Sequence, residues 1–218
     1  MHRIALIHAL AHSIAPINAA LARDWPAAVR MNLLDDSLSA DVANSGRLDA
    51  LMTARFVALA DYAVGAGATA ILFTCSAFGP CIEAVARRHA QMPVLKPNEA
   101  MVDEAQAAAT QAGRPIGLVA TFAPTLASMP AEFAPGTPLI CALAEGALDA
   151  LNRGDAEQHD ALAAEAAASL AAQGCGVIAL AQFSLARAAS RVALRTGLPV
   201  LTTVDSAVRR LRLRLGVA

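Results

Sequence analysis

Short apolar runs alternate along this chain with longer segments whose apolar residues recur at helical spacing. Apolar residues at positions 48, 51, 52, 56, 59 and 63 form one such stripe, and Gly65 and Gly67 follow it as expected at a helix end. Strands alternating with long helices predict a parallel sheet with helices on its faces. The predicted strands are 3–9, 29–34, 69–74, 93–96, 115–120, 138–141, 177–181 and 199–203. The predicted helices are 47–64, 99–112, 155–173 and 205–215, and the polar segment 39–46 is predicted to be a mobile loop.

The chain also repeats its own pattern once. Segment 67–75 aligns with 174–182, and segment 92–95 aligns with 198–201, in the same order. Buried parallel strands all resemble one another, so the shared order carries more weight than either match alone. We therefore expect an α/β protein of two similar Rossmann-like lobes, each a four-stranded parallel sheet flanked by helices, related by a pseudo-twofold axis with the active site between them. The expected lobes are 1–97 plus 205–218, and 98–204.

Composition and charge narrow the function classes. The chain has 218 residues and a formal net charge of −1, which argues against a nucleic-acid partner. No run approaches the eighteen or so apolar residues of a membrane span, and the first residues enter a strand without a signal peptide, so we expect a cytoplasmic protein without a membrane partner. The cysteines and histidines show no metal-ligand spacing, so no metal is expected. Segment 8–12 lacks the glycines of a dinucleotide site.

One cysteine stands out by its position. The apolar segment 70–73 runs directly into Thr74-Cys75-Ser76, and Gly79-Pro80 then opens a helix. In open α/β sheets this turn lies at the carboxyl edge, where ligands bind. A thiol near a helix N-terminus is favoured as thiolate, which makes Cys75 a candidate acid/base or nucleophile. The alternative is that Cys75 is a small buried hydrophobic residue.

The repeat, Thr74-Cys75-Ser76 and segment 120–125 together resemble the aspartate/glutamate/hydantoin racemase superfamily. The resemblance implies cofactor-independent proton transfer at a carbon next to a carboxylate, with one cysteine after the third strand of each lobe. It implies that Cys75 is the first-lobe acid/base and that Thr74, Ser76 and Thr121 donate hydrogen bonds to a small carboxylate-bearing substrate. Assembly into a homo-oligomer stays open.

The second-lobe cysteine position of this superfamily is occupied by Gln182, which cannot take up a proton at neutral pH. The superfamily includes arylmalonate decarboxylases, which work with a single cysteine, so a one-thiol lyase is an alternative to a racemase. His8 ends the first strand and is either a second base or a hydrogen-bonded residue that lines the pocket. Gln182 and Ser184 are interpreted as substrate-binding residues, expected to face Cys75 across the cleft. A non-catalytic binding protein for small acids is the third alternative.

Overall fold

The computed structural model describes residues 1–217, which form two compact units, residues 1–97 with 207–217 and residues 98–206. In the first unit the strands are β1 (Arg3–His8), β2 (Val29–Leu34), β3 (Ala70–Phe73) and β4 (Val94–Leu95), and the helices are α1 (Ile14–Asp24), α2 (Ser37–Ser45), α3 (Ala50–Gly65) and α4 (Gly79–Arg88). All neighbouring strands are parallel, in the order β2-β1-β3-β4. In the two central strands, every residue of β3 and every residue of β1 except Arg3 is buried.

The second unit has the same strand order. Its strands are β5 (Ile116–Ala120), β6 (Leu139–Leu143), β7 (Val177–Leu180) and β8 (Val200–Thr202), and its helices are α5 (Glu99–Ala112), α6 (Ala123–Ser128), α7 (Ala147–Asn152), α8 (Ala156–Ala172), α9 (Ala189–Thr196) and α10 (Thr203–Arg214), the last of which continues into the first unit. The sheet is parallel, in the order β6-β5-β7-β8. The predicted fold class, two α/β lobes each with a four-stranded parallel sheet, is confirmed.

The two longest helices begin at aspartates that cap them. The Asp49 carboxylate accepts a hydrogen bond from the backbone N–H of Met52 at 2.9 Å, and Asp155 accepts one from Gln158 at 3.0 Å. Each bond satisfies one N–H of a first helical turn that otherwise lacks a partner. These caps fix where α3 and α8 start, three residues after the predicted start for α3 and one residue after it for α8.

The cores of the two units are filled differently. In the first unit, Phe56 stacks on Phe73 at a ring-centroid distance of 5.3 Å and meets Phe78 at 4.8 Å. In the second unit, alanines supply much of the core between α7, α8 and the sheet; the buried ones in this cluster include Ala144, Ala147, Ala163, Ala164, Ala167 and Ala188. Close packing also requires Gly117 in β5, because a Cβ there would lie 2.8 Å from the Ile178 side chain.

Segment 39–46 is not the predicted mobile loop. It belongs to α2, which ends at Gly46 in the left-handed conformation with φ of 66°. The Arg55 guanidinium on α3 forms ion pairs with Asp35, which precedes α2, and with Asp41, which lies within α2. Helices α1, α6, α7 and α9 were likewise not predicted. These four helices have 6 to 11 residues, and such short helices depend on tertiary contacts more than on a sequence pattern.

Candidate active site

The predicted first-unit residues meet at the carboxyl end of the central strands. His8 is the last residue of β1, and Thr74 and Cys75 directly follow β3. Cys75 keeps an extended backbone, with φ of −131° and ψ of 122°, and a short 3-10 turn, Ser76–Phe78, then leads into α4. This strand-to-helix turn places the thiol at the edge of the sheet where α/β proteins bind ligands.

His8 is fully buried and hydrogen-bonded through both ring nitrogens. Its Nδ1 lies 2.9 Å from the Thr74 hydroxyl, and its Nε2 lies 3.0 Å from Asn32 Oδ1. Burial lowers the pKa of His8, and the hydrogen bond to Asn32 only partly opposes this effect, so the imidazole is neutral at neutral pH. His8 is therefore a buried polar link to Thr74 whose two nitrogens are already occupied.

Cys75 is partly exposed and has the character of a thiol. Burial raises the pKa of Cys75, and a hydrogen bond from the backbone N–H of Ala77 opposes this effect only in part. The expectation of a thiolate favoured by the helix N-terminus is therefore wrong. Desolvation of the charged form outweighs the donation from the single N–H group. Cys75 therefore carries its proton at neutral pH.

In the second unit, Gln182 and Thr121 form a pair at the carboxyl ends of β7 and β5. Gln182 Oε1 accepts hydrogen bonds from the backbone N–H of Thr121 at 2.6 Å and from its hydroxyl at 3.0 Å. A backbone N–H can only donate, so the amide oxygen must face Thr121 and the NH₂ group of Gln182 must point away from it. Both donors of Thr121 thus bind Gln182 Oε1, and the NH₂ group of Gln182 remains able to donate to another acceptor.

The remaining predicted residues and cysteines lie as follows. Ser76 and Ser184 are half-buried, each within the 3-10 turn that follows the strand of its own unit. Cys81 is buried in α4 and Cys175 is buried before β7, whereas Cys141 is exposed on β6. Among residues 1–217, no three or more His, Cys, Asp or Glu side chains are grouped so that they could hold a metal ion.

Sequence reasoning missed two residues of the His8 network. Asn32 lies on the edge strand β2 and accepts from His8, and Asn18 on α1 donates to Asn32 Oδ1 at 2.8 Å. The sequence could have indicated Asn32, because an amide side chain is unusual in the otherwise mostly apolar strand Val29–Leu34. Asn18 carries none, since its role depends on how α1 packs beside β2.

The parallel α/β fold places the Cys75 thiol just after the central strand β3, at the sheet edge where such folds bind small ligands. The chain belongs to the Asp/Glu/hydantoin racemase family, whose family model matches residues 11–211. It is therefore an enzyme of the racemase type, as predicted. No curated protein sequence matches the chain closely enough to count as a relative.

Solved structures show the same fold at low sequence identity. An allantoin racemase from Klebsiella pneumoniae is 17% identical, with a TM-score of 0.70 over 100% of this chain and 90% of that one. A glutamate racemase from Bacillus anthracis is 11% identical, with a TM-score of 0.72 over 99% of this chain and 82% of that one. An arylmalonate decarboxylase is 18% identical, with a TM-score of 0.67 over 98% of this chain and 92% of that one.

The helices of residues 1–217 include none that combines the length and apolar character needed to cross a lipid bilayer.

Proposed function

We propose that this chain is a cofactor-independent enzyme in which Cys75 transfers a proton at a carbon next to the carboxylate of a small substrate. The observation that supports the proposal best is the position of this thiol, directly after a central strand of a racemase-family fold. The same reaction class fits the low acidity of Cys75, because a thiol that keeps its proton can deliver it to a carbanion.

The chemical step is the protonation of an enolate-like carbanion. The S–H bond of Cys75 breaks as the new C–H bond forms, and the thiolate then regains a proton from water. The carbanion delocalises its charge onto the carboxylate oxygens, so fixed hydrogen-bond donors lower its energy. Ser76, Ser184 and the NH₂ group of Gln182 are proposed as substrate-binding donors. The Thr121 hydroxyl contributes by fixing the Gln182 amide, to which it donates, and the Thr74 hydroxyl beside Cys75 is hydrogen-bonded to His8.

How the carbanion arises separates two candidate reactions. A racemase must remove a proton from one face of the carbon and return one to the other face, which requires two acid/base groups. A decarboxylase breaks a carbon–carbon bond instead: CO₂ leaves, its bonding electron pair stays on the carbon, and one thiol protonates it. Two observations favour the decarboxylase as a second candidate. Gln182 is not an acid/base group, and both nitrogens of the buried His8 are hydrogen-bonded.

We also propose a cytoplasmic location and a small carboxylate-bearing substrate. All four cysteines are free thiols in the structure, as suits a reducing compartment. A homo-oligomer is compatible with this assignment.

The test is a set of reactions in D₂O with amino acids, hydantoins and substituted malonates, followed by NMR and chiral chromatography. A decarboxylase gives one enantiomer that carries a single deuterium on the carbon that lost CO₂. A racemase exchanges deuterium into both enantiomers. Cys75→Ser should lower kcat by about 10²-fold or more. Cys141→Ser, which changes an exposed thiol on β6, is the matched control and should leave kcat unchanged.

Full activity of Cys75→Ser would overturn the proposal. So would tight binding of a small acid without either reaction, which would favour the non-catalytic binding protein.

A further inference from the structure

A chain of polar side chains leads from α1 to the residue before Cys75. It consists of Asn18 on α1, Asn32 on the edge strand β2, His8 at the end of β1 and Thr74 after β3. One of these side chains, Asn18, makes a hydrogen bond whose direction chemistry alone decides, because its partner is a backbone carbonyl. The direction of each bond then determines the next one.

The orientation of the Asn18 amide is set by the backbone carbonyl of Ile14. Asn18 Nδ2 lies 2.8 Å from this oxygen, which can only accept, so the NH₂ group of Asn18 must face it. The second hydrogen of the same NH₂ group points to Asn32 Oδ1, also at 2.8 Å. In return, Asn32 Nδ2 lies 3.3 Å from Asn18 Oδ1, so the two amides pair in one orientation.

The Asn32 orientation determines the tautomer of His8. Asn32 Oδ1 is an acceptor, so the His8 Nε2 atom 3.0 Å away must carry a hydrogen. A neutral imidazole has one N–H, which leaves a lone pair on Nδ1. The Thr74 hydroxyl, 2.9 Å from Nδ1, must then be the donor. Its other acceptor, the Ile7 carbonyl at 3.4 Å, is more distant.

We propose that Asn18 and Asn32 are positioning residues that hold His8 as the Nε2–H tautomer and so direct the hydroxyl hydrogen of Thr74 to His8 and away from substrate. This inference rests on the proposed function in one respect, namely that Cys75 is the proton donor. Thr74 can then only accept further hydrogen bonds beside the thiol. The neutral ring also places no cation at the end of β1, in agreement with a Cys75 that keeps its proton.

The tautomer can be observed directly with ¹⁵N-histidine-labelled protein. Long-range ¹H–¹⁵N spectra distinguish a protonated from an unprotonated ring nitrogen, and the His8 signals are identified by their loss in His8→Gln. Spectra are recorded at about pH 8, above the ordinary histidine pKa of about 6.5, so that the rings are neutral. We expect wild-type His8 to carry its hydrogen on Nε2.

Two substitutions of Asn32, an exposed residue of β2, test whether its side-chain oxygen sets the His8 tautomer. Asn32→Asp keeps an oxygen acceptor and should keep the Nε2–H tautomer. Asn32→Leu removes the acceptor and should shift His8 towards the Nδ1–H tautomer, and its kcat should fall about tenfold. Asn32→Asp, which keeps the acceptor, should not show this fall in kcat. Asn44→Leu, at an exposed asparagine of α2, should leave the His8 signals unchanged.

A wild-type His8 with its hydrogen on Nδ1 would overturn the inference, as would an unchanged tautomer in Asn32→Leu. These spectra need no substrate, so they fail or succeed independently of the Cys75 activity test. If Cys75→Ser remains active while the tautomer is as expected, the proposed function fails and only the hydrogen-bond assignment stands.

Discussion

Replacing Gln182 separates a structural role of this residue from a role in binding. Gln182→Leu removes the Oε1 atom that accepts from the Thr121 backbone N–H at 2.6 Å and from its hydroxyl at 3.0 Å. Thr121 is only 7% exposed, so its backbone N–H loses its partner in a poorly solvated place. Gln182→Glu is nearly the same size, and a carboxylate oxygen can accept both bonds.

The expected cost follows from these contacts. A buried N–H without a partner costs about 1–3 kcal/mol, whereas the hydroxyl can rotate towards water and adds little. We therefore expect Gln182→Leu to lower the free energy of unfolding by about 2 kcal/mol and the Tm by about 4–8 °C. Gln182→Glu should stay within about 1 kcal/mol of wild type. Thr121→Val, which removes only the hydroxyl bond, should cost about 1 kcal/mol.

The assay is thermal and urea unfolding of the four proteins and of the Thr121→Val/Gln182→Leu double variant. The double variant should be more stable than the sum of the single changes predicts, because the two residues share one interaction. With a substrate in hand, KM should rise for both Leu and Glu, since each lacks the amide donors. Equal destabilisation by Leu and Glu would refute the assigned amide orientation.

Three further outcomes are expected. The pKa of His8 is lowered in the folded state, so the unfolded state binds more protons below about pH 6.5. The free energy of unfolding should therefore fall as the pH drops below that value. His8→Gln should weaken this pH dependence, as urea unfolding at a series of pH values can show. Gly117→Ala should cost about 1–3 kcal/mol in the same measurement because its Cβ would lie 2.8 Å from a side chain, whereas Gly65→Ala, with no atom within 4 Å, should not destabilise. Iodoacetamide at neutral pH should modify the exposed Cys141 before the half-buried Cys75, as peptide mass spectrometry can show. Burial raises the pKa of both thiols, so this order rests on exposure, and prior labelling of Cys75 would contradict it.

The strands could be predicted from the sequence because each is a short local segment rich in apolar residues. β2 was predicted with its observed bounds, and α5 likewise begins at Glu99 and ends at Ala112. The helix α2 could not be predicted in this way. Its sequence, SLSADVANS, shows little apolar periodicity. The ion pairs that hold this segment come from Arg55, which lies in a different helix and contacts Asp35 and Asp41.

The candidate site shows the same division between local and distant causes. The position of Cys75 follows from the apolar run that precedes it, so the sequence alone could indicate it. The acidity of its thiol depends on burial by elements far along the chain, and the sequence-based expectation therefore had the wrong sign. The orientation of the Gln182 amide likewise depends on Thr121, which lies 61 residues away in the sequence.

The alanine-filled core of the second unit limits how that unit can change over evolutionary time. Its buried helix positions, such as Ala163 and Ala167, already carry nearly the smallest side chain available. They have almost no bulk to lose, and added bulk meets close-packed neighbours at a cost of about 1–3 kcal/mol. The phenylalanine cluster of the first unit is limited in the opposite direction, because replacing a buried Phe by Ala leaves a cavity and costs about 3–5 kcal/mol. Mutational drift should thus be limited mainly by added bulk in the alanine-rich core and mainly by lost bulk around the phenylalanines.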